Sequence, residues 1–198
     1  MTPNTVVARF ELGVPLVVEV RGLPRGRDAQ GDGWEEGMDE LEGLREGLLV
    51  ECDRGTLRFG ANWEAVALDL RGEVAGRFAG RAAPLGRFLD RVSASEASEP
   101  VAALRTARLA HAANLAYRLG TEPDPADLAA GLSALPELEF AYARMADHLE
   151  RNGLGPAGGG LVLSPELAFG SDGRPLAPEA RGLARGSHRA PYLLPERS

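Results

Sequence analysis

Between Val6 and Phe78 apolar and polar side chains alternate with a period of two, and each run is followed by a tight turn and a second run of similar length. That pattern predicts strands folding straight back on themselves, because parallel neighbours would need crossovers of about a dozen residues or more. In VVARFEL, Val6, Ala8, Phe10 and Leu12 stand against Val7, Arg9 and Glu11, and PLVVEV continues with Leu16, Val18 and Val20 after a turn over Gly13 to Pro15. GLLVECDRGTLRFG reverses around Asp53-Arg54-Gly55, and AVALDLRGEVAGRF reverses at Arg71-Gly72. Short sequential pairs of this kind predict an antiparallel β-meander.

Two other periodicities complete the reading. In GRDAQGDGWEEGMDELEGLREGL the spacing of Trp34, Met38, Leu41, Leu44 and Leu48 predicts an amphipathic helix over 34–46, inserted between strands. From Arg27 to Glu46 eight acids stand against Arg27 and Arg45, a net charge of −6. Carboxylates in such number suit a solvated helix face; calcium or magnesium would be the metal reading, but the DxDxDG spacing with a terminal glutamate is missing. After a short helix opened by Pro84, the segment to Leu119 predicts a long helix with Ser98 as N-cap and Gly120 as its stop. Asp124-Pro125 opens another short helix. PELEFAYARMADHLERNG then sets Leu138, Ala141, Tyr142, Met145 and Leu149 along one side, closed by Asn152-Gly153. The expected fold class is α+β: a sheet lobe over 1–82 with the inserted acidic amphipathic helix, a helical lobe over 83–155, and a loosely ordered Gly/Pro/Arg-rich hairpin and tail over 156–198.

Composition closes off much chemistry. The chain has 198 residues and no Lys or Ile, so all 22 basic residues are Arg, a bias that reads as a GC-rich bacterial genome. Without lysine there is no Walker A phosphate lysine, no Schiff-base nucleophile and no protein-kinase phosphate lysine. The single Cys52 excludes an internal disulfide and every CxxC motif, and its place in LLVEC suits a small buried thiol. No run approaches the ~18 apolar residues of a spanning helix, and Arg9 and Glu11 interrupt any signal-like block, so the expectation is a cytoplasmic protein away from membranes.

Catalytic signatures are absent from the sequence pattern. His111, His148 and His188 show no HExxH or paired spacing, Ser187-His188 lacks a GxSxG elbow, and Gly158 to Gly160 reads as a joint rather than a dinucleotide loop. No catalytic residue, metal site or cofactor is therefore expected. Near the C-terminus LSPEL, SDGRP, RGLAR and APYLLPE follow one another, with a small hairpin turning at Ser171 to Gly173. Their order resembles the catalytic loop, following hairpin, DFG segment and APE motif of protein kinases. On that resemblance the catalytic Asp falls at Val162, the metal-binding Asn at Leu167 and the DFG Asp at Ala180, which implies an inactive, degraded kinase-like lobe.

The remaining candidates are arginines. At about 100° per residue, Val101, Leu104, Ala112, Leu115 and Leu119 share one side of the long helix, Arg105 and Arg108 project within or beside it, and His111 borders it. From Val101 to Leu119 no acid neutralises Arg105, Arg108 and Arg118. Their heads either pair with carboxylates of the 35–46 segment or line a groove for a phosphate or carboxylate. The leading expectation is a non-catalytic binding or regulatory protein acting through protein–protein contacts or self-association into a homodimer. The alternative is single-stranded DNA or RNA binding by Arg105, Arg108, His111 and Arg118, with tail contacts from Arg181, Arg185 and Arg189. An enzyme reading gives Arg108 the substrate anion and His111 the proton.

Overall fold

The computed structural model describes residues 4–61, 64–80, 84–94, 100–155 and 161–184. Its contacts group Met1–Gly22 with Val101–Ser198 as one unit and Leu23–Pro100 as a second. The architecture is α+β, with antiparallel meander sheets and helices, as the alternation and the helical spacing required.

In the first unit, β1 (Thr5–Glu11) and β2 (Pro15–Arg21) form a hairpin in which Thr5 faces Arg21 and Glu11 faces Pro15, turning where Gly13 takes a positive φ of 86°. This register gives the two faces different chemistry. Val6, Ala8 and Phe10 stand opposite Val20, Val18 and Leu16 on one face, while Val7 and Arg9 stand opposite Glu19 and Val17 on the other. The helices of this unit are α3 (Pro100–Leu119), α4 (Pro125–Ser133), α5 (Pro136–Arg151) and α6 (Pro178–Ala184). Asp124 caps α4 by accepting the Ala126 N–H at 2.8 Å. Helix α5 ends in a Schellman motif: Gly153, at φ 70°, donates to Glu150 O at 2.8 Å, and Leu154 donates to Leu149 O at 2.8 Å.

In the second unit a four-stranded meander runs β3 (Gly47–Cys52), β4 (Gly55–Gly60), β5 (Glu64–Asp69) and β6 (Val74–Ala79) in order. At the β5–β6 turn Asp69 Oδ1 accepts the N–H groups of Arg71 at 2.8 Å and Glu73 at 2.9 Å, and Gly72 supplies the positive φ. The expected pattern placed a helix over 34–46 before this sheet; α1 instead spans Trp34–Gly37, and α2 spans Pro84–Ser93.

Three expectations need correction. The inserted helix ends at Gly37 rather than Glu46. Met38 is already extended and bridges Pro24, and Leu41 and Leu44 exchange backbone hydrogen bonds at 2.9 Å across Glu42 and Gly43, both at positive φ. Glycines at 37 and 43 make helix costly, by about 1 kcal/mol each against alanine, and Gly43 instead suits a tight hairpin turn. The meander is divided into two sheets, and the hairpin of residues 5–21 groups with the helices rather than with a lobe ending at 82. Helix α5 is the reason: it packs against both β1 and β2. Within the expected tail over 156–198 one helix, α6, is formed among the described residues, and Ala180 is fully buried, with Pro175 buried before it. Cys52 is exposed rather than buried, because it ends β3 at the hairpin turn. Ser98, Gly158 to Gly160, Arg185, His188, Arg189 and the APYLLPE segment lie outside the described residues.

Candidate functional site

The arginine helix comes first, because the sequence pointed to it. Arg105, Arg108, His111 and Arg118 are all exposed on α3, beside an exposed Leu104. Arg108 lies over the 168–176 hairpin: a Cβ placed on Gly173 would stand 2.7 Å from Arg108 Nη1 and 3.0 Å from Cζ. Gly173 thus lets a guanidinium rest against a turn whose φ of 74° also favours glycine. Within their own unit no described carboxylate forms an ion pair with Arg105, Arg108 or Arg118. Arg181 has a structural task, donating from Nε to Pro175 O at 2.8 Å and from Nη2 to Leu176 O at 2.9 Å, which ties α6 to the hairpin before it.

Sequence spacing could not reveal the ion pairs of α5, because their partners are far apart in the chain. Arg9 Nε donates to Glu137 Oε1 at 2.6 Å, and its Nη2 reaches Glu11 at 2.9 Å. Glu19 receives Arg144 through both oxygens, Nε at 3.3 Å and Nη2 more closely, and also Arg21 Nη2 at 2.8 Å. Glu19 and Arg21 are mostly buried, at 14% and 12% side-chain exposure. The hydrogen bond from Arg9 holds the Glu137 carboxyl below the usual glutamate range, and the same bond raises the Arg9 guanidinium. Ala141 and His148, both fully buried, share the α5 face of Glu137 and Arg144, so the buried stripe is rotated away from half-buried Leu138, Tyr142 and Leu149.

The second unit offers a different kind of surface. Strand pairing aligns Leu48, Phe59, Ala65 and Phe78 in one row across the sheet, followed on the same face by Val50, Leu57, Ala67 and Gly76. The opposite face carries Arg58, whose Nη2 donates to Glu42 Oε2 at 2.8 Å, so the 41–44 turn reaches that face. On the apolar face Leu48, Phe59 and Phe78 keep 46%, 39% and 59% of their surface accessible. A depression of about 450 Å³ lies at the end of the sheet near Glu51, Cys52, Asp69 and Gly72. It holds no histidine, and among the described residues no cluster of His, Cys, Asp and Glu could hold a metal ion. No helix among the described residues is long and apolar enough to cross a membrane.

No family model, no curated protein and no solved structure matches the chain, so the kinase-like order of the last segments stands on the sequence alone.

Proposed function

We propose that this is a non-catalytic binding protein of the cytoplasm that acts through protein–protein contacts, with the apolar face of the β3–β6 sheet as its contact surface. The observation that carries this reading is the cross-strand row Leu48–Phe59–Ala65–Phe78, an unbroken apolar row whose three large side chains are left accessible. Scattered apolar residues on a surface are ordinary; a contiguous row on one sheet face is the feature that marks docking. Its aromatic members are the type that supplies most of the energy at the centre of an interface.

A photo-crosslinking residue at Phe78 in living cells tests the proposal, with Arg77 on the opposite face as control. Discrete protein adducts from position 78 that are missing from position 77 are the expected result. Equal labelling from both positions would remove the proposal.

A second reading rests on α3. Exposed Arg105, Arg108 and Arg118, with no carboxylate partner among the described residues of their own unit, suit an anionic ligand such as single-stranded nucleic acid. The first unit is close to neutral, with twelve arginines and thirteen acids, whereas Leu23–Pro100 carries ten against sixteen. A nucleic-acid contact is thus favoured only on the first unit. Fluorescence anisotropy with short single strands at low salt would register it, and Arg105→Ala with Arg108→Ala should abolish the signal.

A further inference from the structure

The two edges of the four-stranded sheet are built differently. At the β6 edge the register slips between Ala67 and Leu68, so that Gly76 faces Ala67 and Val74 faces Leu68 with Ala75 left over, and Arg77 follows. A bulge and a charged residue are common ways of blunting a sheet edge. Strand β3 has no bulge: Gly47–Cys52 is regular, contains no proline, carries a single charge at Glu51 near its end, and among the described residues pairs only with β4. Cys52 and Gly55 flank the two-residue turn, so they form a hydrogen-bonded pair, and alternation along the ladder turns the backbone groups of Gly47, Leu49 and Glu51 outward. Among the described residues no backbone hydrogen bond outside the β3–β4 ladder involves those three.

We propose that the β3 edge is a self-association site, at which a second copy of the chain adds its own β3 antiparallel about a two-fold axis through Leu49. This rests on the reading of the second unit as an interaction surface and names one partner for it. The sequence around β3 is self-complementary in that register. Leu49 meets Leu49 of the second copy, Leu48 meets Val50 on the apolar face, and Glu51 meets Gly47, so no like charges are opposed. Just beyond the strand, Arg45 comes opposite Asp53 of the second copy, twice by symmetry. Shifting the axis to Val50 would set Leu49 against a carboxylate, and shifting it to Glu51 would oppose two carboxylates. The Leu49 register matches apolar with apolar and positive with negative, and it continues the apolar face across both copies, the Leu48–Phe59 row of one meeting the Val50–Leu57 row of the other. Each second unit carries a net −6, so association is measured at physiological ionic strength, where charges beyond about 8 Å are screened.

Sedimentation equilibrium of the full chain, from about 1 to about 200 µM, tests this. The expected result is a concentration-dependent mass rising toward twice 21.0 kDa. Leu49→Pro removes an outward N–H that the sheet itself does not use, and should leave a monomer with an unchanged circular dichroism spectrum. Should that variant fail to fold, charge reversal decides: Arg45→Asp should weaken the dimer roughly tenfold and Arg45→Asp with Asp53→Arg should restore it. A monomer at every concentration overturns the inference, as does a dimer indifferent to the charge reversal. A crosslinker at Leu49 that captures a different protein while the purified chain stays monomeric also overturns it. In each of these three cases adducts from position 78 would still stand, so the two proposals fail separately.

Discussion

The hairpin of the first unit and the meander of the second are both antiparallel and both carry one apolar face, yet they are held by different means. The hairpin has two strands, too few for independent stability in water, and α5 supports it on its polar face through Glu137 and Arg144 on either side of a fully buried Ala141. The meander has four strands whose ladders hold one another; its apolar face is accessible, as Val18 and Val20 of the hairpin also are, but there it presents the larger Leu48, Phe59 and Phe78. Charged side chains therefore fasten the first sheet, while the second holds itself together and leaves Leu48, Phe59 and Phe78 accessible. Substitutions in the two should differ in kind: the first set should cost stability, the second association.

The largest effect is expected at Glu19. It accepts from Arg144 and Arg21 while itself mostly buried, so Glu19→Ala leaves two guanidinium groups facing a site without its carboxylate. Removing one partner of such a group should cost about 3 kcal/mol in chemical denaturation. A cost near zero would mean that the hairpin is not fastened to α5 in this way.

Next comes Gly120, which adjoins α3 where Thr121 and Leu163 exchange backbone hydrogen bonds at 3.1 and 2.9 Å. A Cβ there would stand 2.3 Å from Val162 Cγ1 and 2.8 Å from Leu163 O, so Gly120→Ala must push the two segments apart. About 2 kcal/mol is expected, read from the unfolding midpoint. The glycine expected from sequence to stop a helix is needed for close approach.

In the meander, Phe59→Ser with Phe78→Ser should cost no more than about 2 kcal/mol, because 39% and 59% of their surface is already accessible. The same pair should abolish adducts from a crosslinker placed at Leu48. A loss of several kcal/mol would show that this face is a core in solution and would collapse the contrast between the sheets.

What could be read beforehand follows from the range of each interaction. Strands and turns were legible because Val6 to Leu12 and Leu16 to Val20 alternate locally and Asp53-Arg54-Gly55 marks its own reversal. The length of α1 was not, because Leu41 and Leu44 satisfy helical spacing and hairpin pairing equally, and Glu42-Gly43 lacks the Asn-Gly signature of such a turn. Arg105, Arg108, His111 and Arg118 were correctly expected on one long helix, but the contact of Arg108 with Gly173 spans 65 residues of chain and leaves no local trace. The same holds for Arg9 with Glu137, separated by 128 positions. The apolar row was present in the alternation but invisible as a surface, since pattern alone does not say which face a sheet leaves uncovered.

The smallest effect tests the electrostatic half of the comparison. Glu137 has a lower pKa in the folded protein than in the unfolded chain because Arg9 donates to it. A carboxyl shifted down contributes stability that is fully present above the unfolded glutamate range and is lost as pH falls through the lower, folded value. The raised Arg9 pKa lies far above this window and adds nothing to the acid slope. Thermal midpoints followed from about pH 7 down to about pH 3 should therefore fall more steeply in the wild type than in Glu137→Gln, with the two curves converging at the acid end. The difference should be slight, since the pair is partly open to solvent and screened. Added salt should shrink it further, whereas the Phe59→Ser and Phe78→Ser variant should keep the wild-type slope. Parallel curves for wild type and Glu137→Gln would mean that the Arg9–Glu137 pair does not fasten the hairpin, leaving Glu19 with Arg144 and the packing at Ala141 to hold it.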